Sequence, residues 1–154
     1  MRRWVGRVVL GLLCLAPVGA AGPATQLSIE YSGFAQSVRV VKSVLDYSWL
    51  QQTATPKAGR LELKPDQVGL FENWIGRYGV FALKNPDVRV GDPNHPGAAE
   101  NSFLLVSLGD RKLELSWTGV SVWNKPEDKE KLDKALDELN ALCIKLLKDA
   151  GLFF

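Results

Sequence analysis

Residues 26–32 alternate, with Leu27, Ile29 and Tyr31 on one side and Ser28, Glu30 and Ser32 on the other. A period of two puts the apolar set on one face of an extended chain, which predicts a half-buried strand. Gly33 breaks the pattern, and residues 37–47 resume it with Val38, Val40, Val41, Val44 and Leu45. The short spacing around Gly33 predicts an antiparallel hairpin. The Val40-Val41 doublet departs from strict alternation, so a bulge or two-sided burial is expected within the second strand. Residues 49–59 hold Thr, Gln, Pro and Gly and read as a connection. Leu61 and Leu63 then alternate with Arg60, Glu62 and Lys64, a short third strand that leads into a helix.

Two stretches shift to a helical period. Both open with Lys-Pro-acid: Lys64-Pro65-Asp66 and Lys125-Pro126-Glu127. Pro suits the first helical position, where its missing N–H would be unpaired anyway, and the acid favours the positive end of the helix dipole. In the first helix Val68, Phe71, Trp74, Ile75 and Tyr78 follow the 3-4 spacing of a buried stripe, and Gly79 is placed to end it. The second carries a longer stripe of Leu132, Ala135, Leu136, Leu139, Leu142, Cys143, Leu146, Leu147 and Ala150, stopped by Gly151.

Between the helices, residues 101–108 and 111–117 form two strands around Gly109-Asp110, which suits a two-residue turn with the Gly at positive φ. Leu104, Val106 and Leu108 point one way and Phe103 and Leu105 the other, so this strand is expected in the middle of the sheet. The order is β-β-β-α-β-β-α. It predicts a single α+β domain: an antiparallel sheet of four to five strands with two amphipathic helices on one face.

Composition narrows the class. With 154 residues, 46% hydrophobic and 23% charged, the chain is long enough for one core and too apolar for a disordered one. Its N-terminus carries an address. Arg2, Arg3 and Arg7 precede an apolar run over residues 8–15, closed by Pro17-Val18-Gly19-Ala20-Ala21. Positive, apolar, then small is the order of a secretory signal peptide, expected here over residues 1–21 with cleavage after Ala20 or Ala21. The apolar run is well short of the roughly 20 residues a bilayer span needs. Residues 22–154 then form the exported domain, in the periplasm or outside the cell.

Export changes the charge account. Three Arg and no acid lie in residues 1–21, so the rest of the chain has 16 Lys+Arg against 17 Asp+Glu, a net charge of −1 rather than +2. The apparent basicity belongs to the leader, and neither a nucleic-acid partner nor stable membrane insertion after cleavage is expected. Cys143 becomes the single thiol, with no partner for an intramolecular disulfide.

Catalytic and metal chemistries find little to work with. The one His, His95, lies in the longest irregular stretch, residues 84–100. Asp92, Asn94 and Gly97 occupy the first, third and sixth positions of a calcium loop, but Pro96 and Phe103 fall where oxygen ligands are required. One His and one helical Cys do not make a zinc site. Cys143 sits in an apolar stripe and reads as core, and the acids of the second helix interleave with Lys129, Lys131 and Lys134 as a solvated face with favourable i,i+4 pairs. No cofactor, metal or enzymatic activity is expected. A binding role fits better. Three prolines stiffen residues 84–100, which lowers the entropic cost of docking and makes Asp92, Asn94 and His95 candidate contacts. Trp74 and Trp117 lie on apolar faces, whereas Trp49 and Trp123 lie in connections and are candidate exposed anchors.

A hairpin on Tyr31-Ser32-Gly33-Phe34-Ala35, a helix start at Leu63-x-Pro65-Asp66, a helix containing Trp74, a Pro-rich loop, a second hairpin over residues 102–113 and a closing Leu-rich helix follow one another. This order resembles the emfourin-like group of small bacterial proteins, which includes proteinaceous inhibitors of thermolysin-like and protealysin-type metallopeptidases. The resemblance spans residues 28–147, with Ser32-Gly33 where those proteins tend to carry paired glycines. It implies a domain that binds another protein, with a metallopeptidase as the expected partner; the signal peptide makes that domain secreted or periplasmic, and the long connection makes residues 87–97 the expected loop that fills the cleft. The alternative is a periplasmic module for a small ligand or glycan, using Trp49 or Trp123; a hydrolase acting through His95 is a third reading.

Overall fold

A computed structural model describes residues 26–49, 57–86, 101–119 and 121–152. The strands are β1 (Leu27–Ser32), β2 (Gln36–Val41), β3 (Val44–Trp49), β4 (Lys57–Glu62), β5 (Ser102–Leu108) and β6 (Arg111–Trp117). The helices are α1 (Pro65–Tyr78), followed by a 3-10 turn over Val80–Ala82, and α2 (Pro126–Asp149). The strands form one sheet in the order β4-β3-β2-β1-β5-β6, every neighbouring pair antiparallel. With both helices on one face, this is the single α+β domain predicted, with one strand more than the upper expected count.

The extra strand comes from residues 37–47, which form two strands rather than one. The chain reverses at Lys42 and Ser43, whose φ angles are +50° and +64°. Two consecutive left-handed residues make a type I′ hairpin turn, which favours Asn-Gly and is hard to see in Lys-Ser. Val41 and Val44 pair across it, and the register runs through Val40 and Val41 without a bulge. β4 also begins earlier than expected, at Lys57, and Trp49 is the last residue of β3 rather than part of a connection.

The alternation divides the sheet cleanly. Ile29, Val38, Leu45, Leu104 and Leu115 face the helices and are essentially inaccessible, packed with Phe71, Leu132, Leu139 and Leu147. Full burial of such a side chain contributes about 1.5–3 kcal/mol each, so this layer dominates stability. β5 lies between β1 and β6, but its Phe103 and Leu105 occupy the uncovered face; Phe103 remains 38% exposed. Of the α1 stripe, Phe71, Trp74 and Ile75 are buried and Val68 and Tyr78 half-buried. Ala150, placed on the α2 stripe by its spacing, lies exposed at the helix end, where Gly151 turns the chain at φ +71°.

Three polar contacts orient the layers. The Trp74 indole N–H donates to the Ala135 carbonyl at 2.7 Å and ties α1 to α2. The Tyr47 hydroxyl donates to Asn140 Oδ1, fixing α2 over β3. The outer edge of β6 is met by Asn85, whose amide donates to the Glu114 carbonyl at 3.1 Å and accepts from the Ser116 N–H at 2.8 Å. A side-chain amide thus mimics one residue of a neighbouring strand and blunts an edge otherwise open to pairing.

The uncovered face is polar. One row across the sheet runs Glu114, Leu105, Glu30, Arg39, Asp46, Arg60. Its ion pairs, Arg39–Glu30 at 3.8 Å and Arg60–Asp46 at 3.5 Å, are well exposed and contribute at most about 1 kcal/mol apiece. They fix register and keep this face in water.

Candidate functional site

Antiparallel order brings six strand termini to one end of the sheet: the ends of β1, β3 and β6 and the starts of β2, β4 and β5. Gln36 lies opposite Trp49, Trp49 opposite Lys57, Ser32 opposite Phe103, and Ser102 opposite Trp117. The connection over residues 50–56 leaves from Trp49 and returns to Lys57 at this end. The stem of the Pro-rich connection arrives here too. Leu83 and Pro86 are buried and Asn85 is pinned to the last turn of β6, so the chain departs beside Ser116 and re-enters at Asn101, next to Trp117.

The end is rigid beneath those connections. Tyr31 and Trp117 stack with ring centroids 6.3 Å apart and planes 9° from parallel. Burial pushes the Tyr31 hydroxyl above its ordinary pKa, against a hydrogen bond with the Gln36 side chain and with the nearby Asp137 and Asp133 adding to the rise. Gly33 N–H donates to the Gln36 carbonyl at 2.9 Å and closes the β1–β2 turn. After β6, the Thr118 N–H donates to Ser121 Oγ at 2.8 Å and the Ser121 N–H returns to the Thr118 carbonyl at 3.1 Å, a tight reversal that leads to Trp123 and α2.

Exposed large apolar side chains concentrate here. Phe34 at the tip of the β1–β2 turn is 65% exposed, Val122 53% and Phe103 38%. Trp49 and Trp123 are at the same end, both half-buried and packed against the core. Asp92, Asn94 and His95 lie outside the described residues, but the stems of their connection converge on this end. Periodicity missed Phe34, Phe103 and Val122 as surface residues. The signal was present for two of them: Phe34 follows the glycine that ends β1, and Phe103 has the opposite parity to Leu104 and Val106.

The chemistry elsewhere is sparse. Cys143 is fully buried, and burial pushes its thiol up to about 12, so it is a core residue. Among the described residues, no three His, Cys, Asp or Glu side chains gather as a metal site would require, and every buried side-chain nitrogen or oxygen has a hydrogen-bond partner. No helix among them is long and apolar enough to cross a membrane. At the opposite end of the sheet a cleft of about 480 Å³ lies between Leu27, the Lys42-Ser43 turn and Val68 of α1, with Lys42 its single charged group. Its remaining polar lining is Gln26, Ser28, Ser43 and Ser107. Compared with known proteins, the chain matches no protein-family model and no curated protein.

Proposed function

We propose that this chain is an exported, non-enzymatic domain that binds another protein, and that it inhibits a secreted metallopeptidase of the thermolysin type with the connection over residues 87–97. The observation that carries the reading is convergence: the stems of both long connections and three exposed apolar side chains occupy one end of the sheet. Binding residues commonly sit on loops held by a rigid scaffold, and here the Tyr31–Trp117 stack and the Asn85 clasp supply that scaffold. The prolines of residues 84–100 restrict the free loop and reduce the entropy lost on docking. The order of sequence landmarks, which resembles that of the emfourin-like proteins, supplies the class of partner.

The test is a titration of the protein, expressed as the full chain and purified with whatever N-terminus the bacterial host leaves, against a thermolysin-like peptidase cleaving a short peptide. Saturable inhibition near one-to-one, with the inhibitor intact afterwards, is expected. An alanine scan of residues 87–97 then locates the contact. Unchanged peptidase activity at micromolar excess, across several such enzymes, overturns the inhibitor reading.

A further inference from the structure

We infer that the cleft beside the Lys42-Ser43 turn binds a small apolar N-acylated amino acid, held by its carboxylate at Lys42, by its amide on the backbone of Leu27, and by its side chain against Val40 and Val68. This site is independent of the peptidase reading and lies at the other end of the sheet.

The observation that carries it is a rung of the ladder left unfilled. Val41 and Val44 flank a two-residue turn and so form a hydrogen-bonded pair, which aims the backbone of Val41 at β3 and that of Val40 at β1. Ile29 is opposite Val40, and strand backbone groups alternate in direction, so Leu27 also turns its N–H and C=O toward the β2 side. Two bonds agree with this parity: Gly33 N–H to the Gln36 carbonyl across β1 and β2, and Gly109 N–H to the Gln26 carbonyl on the β5 side. The residue that would complete the rung with Leu27 is Lys42. Pairing stops one step short, at Ser28 and Val41, because Lys42 has entered the turn at φ +50°. No backbone bond joins Leu27 to Lys42. Leu27 is a buried residue, and backbone groups in such a residue ordinarily have partners.

The cleft of about 480 Å³ opens at this gap, and its lining specifies what fills it. A free N–H beside a free C=O matches one amide. Lys42 is the only charged lining residue and makes no ion pair among the described residues, so the ligand carries a negative charge. Leu27, Val40 and Val68 supply an apolar wall. Carboxylate, amide and apolar side chain together make an acylated apolar amino acid, with main-chain bonds giving affinity and the wall giving selectivity. The turn itself is strained: Lys42 and Ser43 are the non-glycine residues at positive φ among those described. The Leu63 N–H bond to the Ser43 carbonyl, 2.7 Å, holds it from the β4 side. Strain kept in place by its surroundings is a mark of functional positions, and here it presents a cation to the cleft.

The experiment titrates the ¹⁵N-labelled full-length protein with N-acetyl-leucine and follows the amide signals. Saturable shifts centred on Leu27 and Lys42 are expected. N-acetyl-leucine amide, 4-methylpentanoate and N-acetylglycine each lack one of the three groups and should bind about tenfold more weakly or worse. The same chemistry ends a peptide: tighter binding of Ala-Ala-Leu assigns the site to a peptide C-terminus, and weaker binding assigns it to the free acylated amino acid. Lys42→Met should lose about tenfold in affinity or more. Lys42→Asn with Ser43→Gly relieves the turn, so a loss of binding by that variant with its melting temperature maintained or raised cannot be unfolding. Absence of saturable shifts at millimolar N-acetyl-leucine, shifts centred away from Leu27, or parental affinity in both Lys42 variants overturns the assignment.

Discussion

Gly33 and Tyr31 occupy one another's space: a Cβ built on Gly33 would lie 2.3 Å from the Tyr31 hydroxyl oxygen and 2.9 Å from its ring carbon Cζ. Both distances are shorter than real contacts allow, so Gly33→Ala has to displace the Tyr31 ring, and that ring is stacked on Trp117. Overpacking of this kind costs about 1–3 kcal/mol. Gly33→Ala should lower the denaturant midpoint accordingly and alter the tryptophan emission. Gly119→Ala, where an added methyl meets nothing within 4 Å, is the comparison. Equal midpoints for the two variants would mean that Tyr31 moves freely.

The Trp74–Ala135 bond is a polar link between the two helices. Trp74 is buried and its N–H reaches a carbonyl of α2 at 2.7 Å. Trp74→Phe keeps an aromatic ring but removes the donor and some volume, and should cost about 1–3 kcal/mol in urea unfolding. A cost near zero would show that the helices are held by their apolar stripes alone.

How far the sequence discloses this fold follows from what each element depends on. α2 is legible because a long stripe with Pro at one end and Gly at the other admits one reading. β1 and β6 are legible for a similar reason, with alternation that matches burial on one face. The β2–β3 reversal is hidden because Lys42-Ser43 carries none of the residues that usually mark left-handed turns. β5 misleads because Phe103 and Leu105 are apolar yet lie on the polar face. The candidate site is legible only as connections. Their shared location depends on strand order, and order is set by long-range pairing that local pattern does not encode.

That hidden turn is also a place to gain stability. A non-glycine residue in the left-handed region costs about 1–2 kcal/mol, and Lys42 and Ser43 are both there. Replacing the pair by Asn-Gly supplies residues suited to a type I′ turn. Lys42→Asn with Ser43→Gly should raise stability by about 1 kcal/mol, seen as a higher melting temperature with an unchanged circular dichroism spectrum. A lower melting temperature would contradict the turn assignment.

The proposed leader makes a prediction that needs no partner. Expressed as the full chain in a bacterium with a general export pathway, the protein should be recovered from the periplasmic fraction. Its intact mass should match a chain beginning at Ala21 or Gly22. A cytoplasmic product retaining residues 1–21 would remove the case for export. It would also restore the net charge of +2.

Alkaline pH offers a separate test of the core. Burial pushes the Tyr47 hydroxyl up to about 12 from an ordinary 10.0, with Cys143 and Tyr31 adding to it, and pushes the Cys143 thiol up to about 12 from 9.0. Both groups are neutral in the folded protein and ionise more easily once unfolded. The unfolded chain therefore releases protons first as pH rises, and stability falls wherever it holds fewer protons than the fold. Stability from these groups should be fully present below about pH 9 and decline progressively between pH 9 and 12. Tyr47→Phe also loses the bond to Asn140, so its absolute stability drops; the informative quantity is the slope, which should be shallower than the parent's above pH 10. Cys143→Ala should flatten the earlier part, from pH 9 upward. In the native protein at neutral pH, a thiol reagent should label Cys143 only at the rate of unfolding, because the residue is fully buried and its thiolate is scarce. Fast labelling, or a stability profile that stays level to pH 12, would mean that α2 does not cover the sheet as described.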